Sequence, residues 1–589
     1  MKKNLCKTGK IAILCKFQQD ILQNMLIRSK ENTFTARFIG SEESVFLKGI
    51  TLLEILEYIR LPNPETIVLA KLNNRIFNLR EAVEEDCIIE WVPLQSREGL
   101  QSYQQTLSLV LFRAFHELYP QQKLIIGYTT FNGICVEMLG GMRVSRRMLK
   151  KLRAQMEEII QNDEPIEPVN LLRNQALVYF KEQDERPPYP LENQDQSKIT
   201  LYRCGEVEEY LGYPPFHSAR YVKTFDILRK RPGFFLRSPE SQEIRQFTPV
   251  VKQNKLFRVH GEYARWKRTL DIQDVFAVND TVRNGYALDM VQIAEGLHEK
   301  KIVRIADTLL RKRKRLRIVL VVGPSASGRA TLTRRLEIHL RVNGMKPVVL
   351  SLDDYVLDTE SAIDDTTDDF ESAYTKVVDV SHLNHVVDNL LAGQKVQVPR
   401  YDPRKKKRVP GPTRILEHHQ PILIEGVYDL FRRIGRKIPK SRRLHIYVDA
   451  LTPLRVTRHC RVDAGDVGLL RRLIRNHYLR GISVADTIMF WPSVVHKDKK
   501  EVAPLLQTSD VVFNSSLVYE LCVLRVKGES ILRAVPQDHP SFPEAQRLLQ
   551  VLSYFAPIPL FIVPSHSILR EFMGETRFDR RLDTEEQSE

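Results

Sequence analysis

The stretch RIVLVVGPSASGRATLTRRLEIHL (Arg317–Leu340) decides the fold of the second half of this chain. It starts with an apolar, β-branched run that is typical of a buried strand, and it ends with apolar residues at helical spacing. Gly323 and Gly328 enclose the turn between the two. Backbone N–H groups in such a turn surround a phosphate, and the helix N-terminus adds its partial positive charge. The stretch therefore predicts a strand, a phosphate-binding loop and a helix.

The loop departs from the P-loop pattern GxxxxGK[ST] at two positions. Arg329 stands where the lysine is expected and Ala330 where the serine or threonine is expected, with Thr331 one place later. Arginine keeps the charge but is planar and bulkier, and alanine has no hydroxyl for Mg²⁺. We predict that the nucleotide phosphates contact Gly323, Ser325, Ala326, Ser327, Gly328, Arg329, Ala330 and Thr331. The alternative is a glycine-rich turn that binds nothing.

Beyond the loop, short β-branched runs alternate with helical patterns: KPVVLSL, QPILIEG, RLHIYVDA and DVVFNSS. Buried parallel strands joined by crossover helices have this pattern. The sequence thus predicts an α/β domain over residues 315–575, with a three-layer architecture around a parallel sheet.

The first half of the chain has a different texture. Residues 35–95 alternate apolar runs and turns around one amphipathic segment, which predicts a small α+β unit of β-grasp type. Residues 96–240 have a mainly helical pattern, and residues 241–314 predict a helical connector. An extension at 1–34 and a charged tail at 576–589 complete the predicted organisation.

Composition limits the function classes. The 589 residues carry 89 Lys and Arg against 73 Asp and Glu, a formal net charge of +16. This moderate bias permits nucleic acid or phosphorylated ligands as partners. No apolar run is long enough to span a membrane, and the basic N-terminus lacks a signal-peptide core, so we expect a cytoplasmic protein. The seven cysteines have no CxxC spacing, which argues against a disulfide framework or a zinc site.

Several motifs in one order carry a family resemblance. They are GPSASGRAT, SLDDYVLD, DFESAY, VQVPRYDPRKKKR, ILIEGVYDL, IYVDALTPL and VVFNSSLVYEL. The segment resembles the phosphoribulokinase/uridine kinase family of P-loop nucleoside kinases. The whole chain resembles long bacterial uridine kinase-like proteins, in which a threonyl-tRNA-synthetase-like region precedes the kinase. The resemblance implies a P-loop kinase fold that uses ATP and Mg²⁺.

The resemblance also implies roles on the acceptor side. Asp353 matches the aspartate that takes the proton from a nucleoside 5′-hydroxyl, a role suited to a carboxylate beyond a strand end; a turn or helix cap is the alternative. Tyr355, Tyr401 and Arg408 match substrate-binding positions. Glu425 matches an acid that lies near Mg²⁺ and the substrate; a surface acid at a strand end is its alternative.

The stretch GLLRRLIRNHYLRG resembles the arginine-rich lid of the family. Arg471, Arg472 and Arg475 match its cations, which stabilise charge on the transferred phosphoryl group. Gly468 stands where the family has another arginine, so one lid charge is missing. With Arg329 and Asp353, we predict Arg472 and Arg475 as catalytic residues and Arg471 as a substrate contact.

The first half resembles the TGS domain and the second additional domain of threonyl-tRNA synthetases. The paired HxxxH histidines of the editing site are replaced by Gln105 and Leu109, and Cys204 and His217 do not convincingly match its later Cys and His. Hydrolysis of mischarged tRNA is therefore not supported. We expect a binding or regulatory scaffold, whose basic helix at 143–153 contacts RNA or is a solvated face.

Two functions follow. The first is an ATP- and Mg²⁺-dependent kinase that transfers the γ-phosphoryl group to a nucleoside 5′-hydroxyl, with a pyrimidine nucleoside favoured. The second is a catalytically weakened or inactive pseudokinase that binds nucleotide or RNA. The pair Arg329 and Ala330 distinguishes them, because it alters the groups that handle the triphosphate.

Overall fold

The structure is a computed structural model. It describes residues 33–38, 43–59, 61–130, 133–139, 143–187, 198–230, 233–239, 254–357, 378–402, 407–426, 434, 438–451 and 454–578. The motif DFESAY, the predicted extension at 1–34 except its last two residues, and most of the predicted tail lie outside these ranges.

The first elements form the predicted β-grasp arrangement. They are β1 (Thr33–Phe38), β2 (Glu43–Leu47), β3 (Ile50–Thr51), α1 (Leu52–Ile59), β4 (Ile67–Leu72), β5 (Arg75–Asn78), β6 (Ala82–Val83) and β7 (Cys87–Pro93). The main sheet has the order β2-β1-β7-β4-β5, in which β1 and β7 are parallel. Leu52 and Ile55 of α1 pack with Phe34 and Phe38 of β1 in one buried cluster.

The next region is mixed, so the mainly helical prediction for 96–240 was wrong. Its elements are α2 (Arg97–Leu118), β8 (Leu124–Thr130), β9 (Gly133–Met138), α3 (Arg146–Gln161), β10 (Ile166–Leu172), α4 (Arg173–Glu182), β11 (Lys198–Cys204), β12 (Val207–Glu209), β13 (Asp226–Arg229) and β14 (Phe234–Arg237). Strand β10 buries only Ile166 fully and does not alternate strictly between buried and exposed residues, so its period-two signal in the sequence is weak.

Three helices precede the phosphate loop. They are α5 (Asn254–Thr269), α6 (Val275–Arg283) and α7 (Ala287–Lys312). Asp274 caps α6, since its side chain accepts a hydrogen bond from the Ala277 N–H at 3.0 Å. Such a cap satisfies one of the free donors of the first turn.

The α/β region follows the predicted alternation. Its elements are β15 (Ile318–Val322), α8 (Arg329–Val342), β16 (Val348–Ser351), α9 (Val380–Leu391), β17 (Val396–Asp402), β18 (Lys407–Arg414), β19 (Ile422–Gly426), β20 (Arg443–Asp449), α10 (Ala464–Arg475), α11 (Val484–Lys497), α12 (Ala503–Thr508), β21 (Val511–Asn514), α13 (Glu520–Arg533), α14 (Phe542–Ser553) and α15 (Arg570–Met573).

Five of these strands form one parallel sheet in the order β16-β19-β15-β20-β21. Every residue of β15 and β19 is buried, as expected for central strands covered on both faces. Because all five strands are parallel, their carboxyl ends lie at one edge of the sheet. Ligands of open α/β sheets bind at this edge.

The described residues divide into two compact units. One contains those up to 125 together with those within 132–172 and 198–248, and the other contains those within 126–131 and 173–197 and from 249 onward. In the parts of the chain listed above, no helix has the length and apolar character needed to cross a bilayer.

Candidate active site at the carboxyl edge of the parallel sheet

The phosphate loop leaves the carboxyl end of the central strand β15 and enters α8. Gly328 is the residue before the helix, with φ +87°, and it has no side chain to cap the first turn. Ala326 also has a positive φ, +56°, which is costly for a residue with a Cβ. The chain is therefore held in a strained, tightly curved path between strand and helix.

Ser327 lies inside this curve. Its side chain is 2% exposed, and its Oγ has no hydrogen-bond partner among the described residues. A Cβ placed on Gly323 would lie 2.9 Å from that Oγ. A buried polar atom without a partner costs free energy, whereas a phosphate oxygen would accept its hydrogen bond. The loop and the N-terminal end of α8 thus fit a phosphate group.

Arg329 does not extend away from the loop. Its Nη1 donates to the carbonyl oxygen of Gly323 at 2.6 Å and to that of Gly426 at 2.9 Å. The guanidinium therefore joins the start of the loop to the end of β19. Both contacts use one terminal nitrogen, so this end of the guanidinium is held by backbone carbonyls of the protein itself.

Arg471 is fully buried beneath the loop, at 0% exposure. It forms an ion pair with Glu520, whose second oxygen accepts from Nη2 at 2.9 Å. Its other contacts are the Ala326 carbonyl at 3.2 Å and the Oγ and carbonyl of Ser515 at 3.1 Å each. Its guanidinium also lies over the Phe572 ring. With all five N–H donors in use, Arg471 holds the loop from below.

Arg472 and Arg475 follow on α10. Arg472 is 5% exposed, and its Nη1 donates to the Ser325 Oγ at 3.1 Å. Arg475 is half-buried in the last helical turn. The structure thus brings Arg471 and Arg472 to the predicted loop as buried groups, and not as an exposed lid. Their roles in phosphoryl transfer stay predictions.

Two acids lie on the neighbouring strands. Glu425 is the second-last residue of β19 and is buried, and its Oε1 accepts a hydrogen bond from the Ser351 Oγ of β16 at 2.5 Å. Asp353 comes two residues after Ser351, in a short 3₁₀ turn, and is exposed. One acid is therefore fixed inside the edge of the sheet, and the other is accessible to a ligand.

The predicted substrate residues separate into two groups. Tyr401 and Arg408 are partners on the hairpin β17–β18, and the Tyr401 N–H donates to Asp354 Oδ1 at 3.2 Å, next to Asp353. Tyr355 instead lies in the hydrophobic core at 0% exposure, where burial raises the pKa of its hydroxyl. Its packing is structural, and its contact with a substrate stays a prediction.

Asp449 is an acid at this edge that sequence reasoning missed. It ends β20, where its Oδ2 accepts from the Tyr447 hydroxyl at 3.0 Å and its Oδ1 from the Ala450 N–H at 2.8 Å. Burial raises the pKa of its carboxyl to about 6. Its place in the quoted run RLHIYVDA, just beyond an apolar strand, is the signal that marks it.

A second missed group is Glu571. Its Oε2 accepts hydrogen bonds from the Thr331 N–H at 3.0 Å and the Thr331 Oγ1 at 2.8 Å. The two residues are 240 positions apart. No local pattern in the sequence links them.

Glu425, a buried carboxylate at this edge, is the residue that would help to hold a magnesium ion. Mg²⁺ binds through one or two carboxylates together with substrate phosphates and water, so it needs few protein ligands. Across the described part of the chain, no group of three or more His, Cys, Asp or Glu forms a metal site by itself. Bound to ATP at this edge, the ion would neutralise phosphate charge.

The other unit places its synthetase-like residues in packed surroundings. Leu109 is buried and Gln105 half-buried on α2. Cys204 is buried with its Sγ 3.9 Å from Arg113 Nη1, and Arg113 pairs with Glu164.

Burial, helped by nearby Arg220 and Arg80, lowers the pKa of His217 to about 4. The absence of an editing site stays a prediction from the sequence.

One family match covers the phosphate loop, the five parallel strands β16-β19-β15-β20-β21 and the acids at their carboxyl edge. Residues 318–520 match the phosphoribulokinase/uridine kinase family. This kinase-like region therefore has the P-loop kinase fold that the motifs predicted.

The N-terminal region is similar to threonine–tRNA ligases. The ligase of Clostridioides difficile is 27% identical over 203 residues, which is 34% of this chain and 32% of that protein. The ligase of Desulforamulus reducens is 26% identical over 254 residues, 42% of this chain and 38% of that protein. The chain thus spans about a third of the length of the curated relatives that it matches.

Among solved structures, a possible uridine kinase from Bacillus stearothermophilus is 21% identical to this chain, with a TM-score of 0.27. The match covers 36% of this chain and 98% of that one.

Proposed function

We propose that the protein is an ATP-dependent kinase that transfers the γ-phosphoryl group to the 5′-hydroxyl of a nucleoside. One observation carries the proposal: Asp353 is exposed directly beyond β16, on the edge from which the phosphate loop leaves β15. A carboxylate there suits a base that orients a hydroxyl for in-line attack. The family match of residues 318–520 supports a kinase of this fold.

Each described group has a part in this proposal. The N–H groups of the loop and Ser327 Oγ bind the phosphates of ATP, and Glu425 helps to hold Mg²⁺. Asp353 accepts the proton of the nucleoside hydroxyl as the new P–O bond forms and ADP leaves. Tyr401 and Arg408 bind the nucleoside from the hairpin β17–β18, which Asp354 ties to the edge.

A second candidate is a nucleotide-binding pseudokinase. It is favoured by the contacts of Arg329, whose guanidinium donates to two backbone carbonyls. A cation held in this way is less available to the transferred phosphoryl group than a lysine that extends from the loop. Nucleotide would then bind without transfer.

The test is a panel assay on the full-length protein. Purified protein with ATP and Mg²⁺ meets uridine, cytidine, adenosine, guanosine and their deoxy forms, and chromatography follows the monophosphates. Asp353→Asn should lower turnover by about 10²–10⁴-fold, while Asp538→Asn, at an exposed aspartate between α13 and α14, serves as the control. Product that survives Asp353→Asn would contradict the proposed base. No product with any nucleoside, combined with measurable ATP binding, would favour the pseudokinase.

For the N-terminal region we propose RNA as a partner and a cytoplasmic location. The similarity to threonine–tRNA ligases supports RNA, as does the exposed basic row of α3: Arg146, Arg147, Lys150 and Lys151. Replacement of these four by Glu should weaken tRNA binding and flatten its dependence on salt. Unchanged affinity in a filter-binding titration would leave this row a solvated face.

A further inference from the structure

The C-terminal segment, residues 564–574, packs directly on the phosphate loop. Ile568 is fully buried and lies so close to Gly328 that a Cβ there would come within 2.6 Å of its Cγ2. Phe572 is buried beneath the guanidinium of Arg471. The backbone of this segment is therefore part of the core around the loop.

Glu571 extends from this segment to the first turn of α8. The N–H groups of Arg329, Ala330 and Thr331 have no acceptors within the helix, because they belong to its first three residues. Glu571 accepts from the last of these and from the Thr331 hydroxyl, at 3.0 and 2.8 Å. A negative charge at a helix N-terminus is stabilising. The carboxylate therefore acts as an external cap on a helix that Gly328 leaves uncapped.

A phosphate bound by the loop would interact with the same end of α8 as Glu571 does. It requires N–H donors of the first turn and the positive end of α8. Glu571 already occupies two donors at Thr331 and places one negative charge there. Because both groups are negative and both use N–H donors of this helix turn, the carboxylate opposes the binding of a nucleotide phosphate at this helix end.

We propose that Glu571 is an internal competitor for nucleotide phosphate and sets the affinity of the loop. The inference rests on the proposed function only in taking a nucleotide phosphate as the ligand. Glu571 itself is half-buried, unlike the buried Ile568 and Phe572 on either side. Its side chain can leave Thr331 by rotation while the backbone of the segment stays in place.

Glu571→Gln tests the proposal, because it removes the charge and keeps an oxygen that accepts from Thr331. Equilibrium titrations of the full-length protein use ATP, tripolyphosphate and adenosine as probes. Binding of ATP and tripolyphosphate should tighten about tenfold or more, and binding of adenosine should not change. Added salt should shrink the difference. Glu575→Gln is the matched control, since Glu575 lies in the next turn of chain, is exposed and pairs with Arg570.

Glu571→Ala is the second variant, which removes both charge and acceptor, and thermal melts establish that each variant folds. Equal or weaker ATP binding by the folded variants overturns the proposal, as does a failure of every form to bind ATP or tripolyphosphate. Tighter binding by the variants without nucleoside phosphorylation would support the proposal and reject the kinase function. Phosphorylation with equal ATP affinities would reject the proposal and leave the kinase function standing.

Discussion

The donor and acceptor sides of the kinase-like region treat their charged residues in opposite ways. On the donor side, Arg329, Arg471 and Arg472 are bonded to carbonyls, hydroxyls or a buried acid of the protein itself. On the acceptor side, Asp353 is exposed, and the buried Glu425 accepts a hydrogen bond from Ser351. The arginines of the donor side therefore hold the protein together, whereas the acids of the acceptor side are placed to contact a ligand.

This difference shows how a phosphate loop keeps its shape when its usual residues change. Where the usual lysine and hydroxyl are missing, other side chains of the protein form hydrogen bonds to the backbone of the loop and of the first helical turn. Arg329 ties the loop to β19, and Glu571 caps α8 at Thr331. The contacts that stabilise the loop thus use some of the groups that would otherwise bind phosphate.

The largest expected effect tests whether the donor side is structural. Arg471→Met should lower the free energy of unfolding by about 3–5 kcal/mol, because it leaves Glu520 buried without its partner. Urea denaturation measures the change. Arg480→Met, an exposed arginine a few residues later, should stay within about 0.5 kcal/mol of the parent. Equal losses in the two variants would break the comparison.

Asp449 gives the next effect, through pH. Its carboxyl has a pKa of about 6 in the fold, above the usual 3.8, since burial favours the protonated form. Its contribution to stability is therefore complete below about pH 4, falls as pH rises, and is lost above about pH 6. The loss is about 3 kcal/mol from a shift of two pKa units.

Asp449→Asn should remove this slope and raise the free energy of unfolding at pH 7. Denaturation curves at pH 4, 5, 6 and 7 for parent and variant measure it. Parallel pH profiles for the two proteins would show that Asp449 does not titrate as stated.

Restoring the usual P-loop residues tests whether the altered donor side limits phosphoryl transfer. Arg329→Lys with Ala330→Thr should raise nucleoside phosphorylation about tenfold or more, because it returns a mobile ammonium and a hydroxyl for Mg²⁺. Steady-state kinetics with the best nucleoside of the panel measure it. Arg334→Lys, at a half-buried arginine of the same helix that pairs with Glu337, is the control. A fall in turnover would mean that Arg329 has taken over the catalytic role of the lysine.

The smallest effect concerns the strained loop backbone. Ala326→Gly should raise the free energy of unfolding by about 0.5–1 kcal/mol, because glycine adopts a φ of +56° without the clash of a Cβ. Ala330→Gly, inside the first turn of α8, should lower it by about 1 kcal/mol. Thermal melts compare the two, and a loss at both positions would exclude relief of strain.

Much of the fold was predictable because its signals are local. The run Arg317–Leu340 holds a strand, a turn and a helix in consecutive residues, and the later apolar runs became β16, β19, β20 and β21 as expected. The strands within 124–237 were missed because several are short and do not alternate between buried and exposed residues.

The site was predictable only in part, since its important contacts are not local. Asp353 and Glu425 follow apolar strands, so their common edge could be foreseen. The burial of Arg471 depends on Glu520, 49 residues later, and the cap on Thr331 comes from Glu571. The family resemblance identified the arginines but gave no measure of how many protein groups they bind.

The separation of these partners along the chain also affects the order of events during synthesis. Ala326 is held by a residue 145 positions further on, and Thr331 by one 240 positions further on. At translation rates of about 5–20 residues per second, the ribosome needs roughly 12–48 s to make the chain between Thr331 and Glu571. During that interval the newly made strand, loop and helix lack the hydrogen bonds from Arg471 or Glu571 that hold them in the folded protein. The phosphate loop is thus encoded early and completed late, when the last helices of the kinase-like unit arrive.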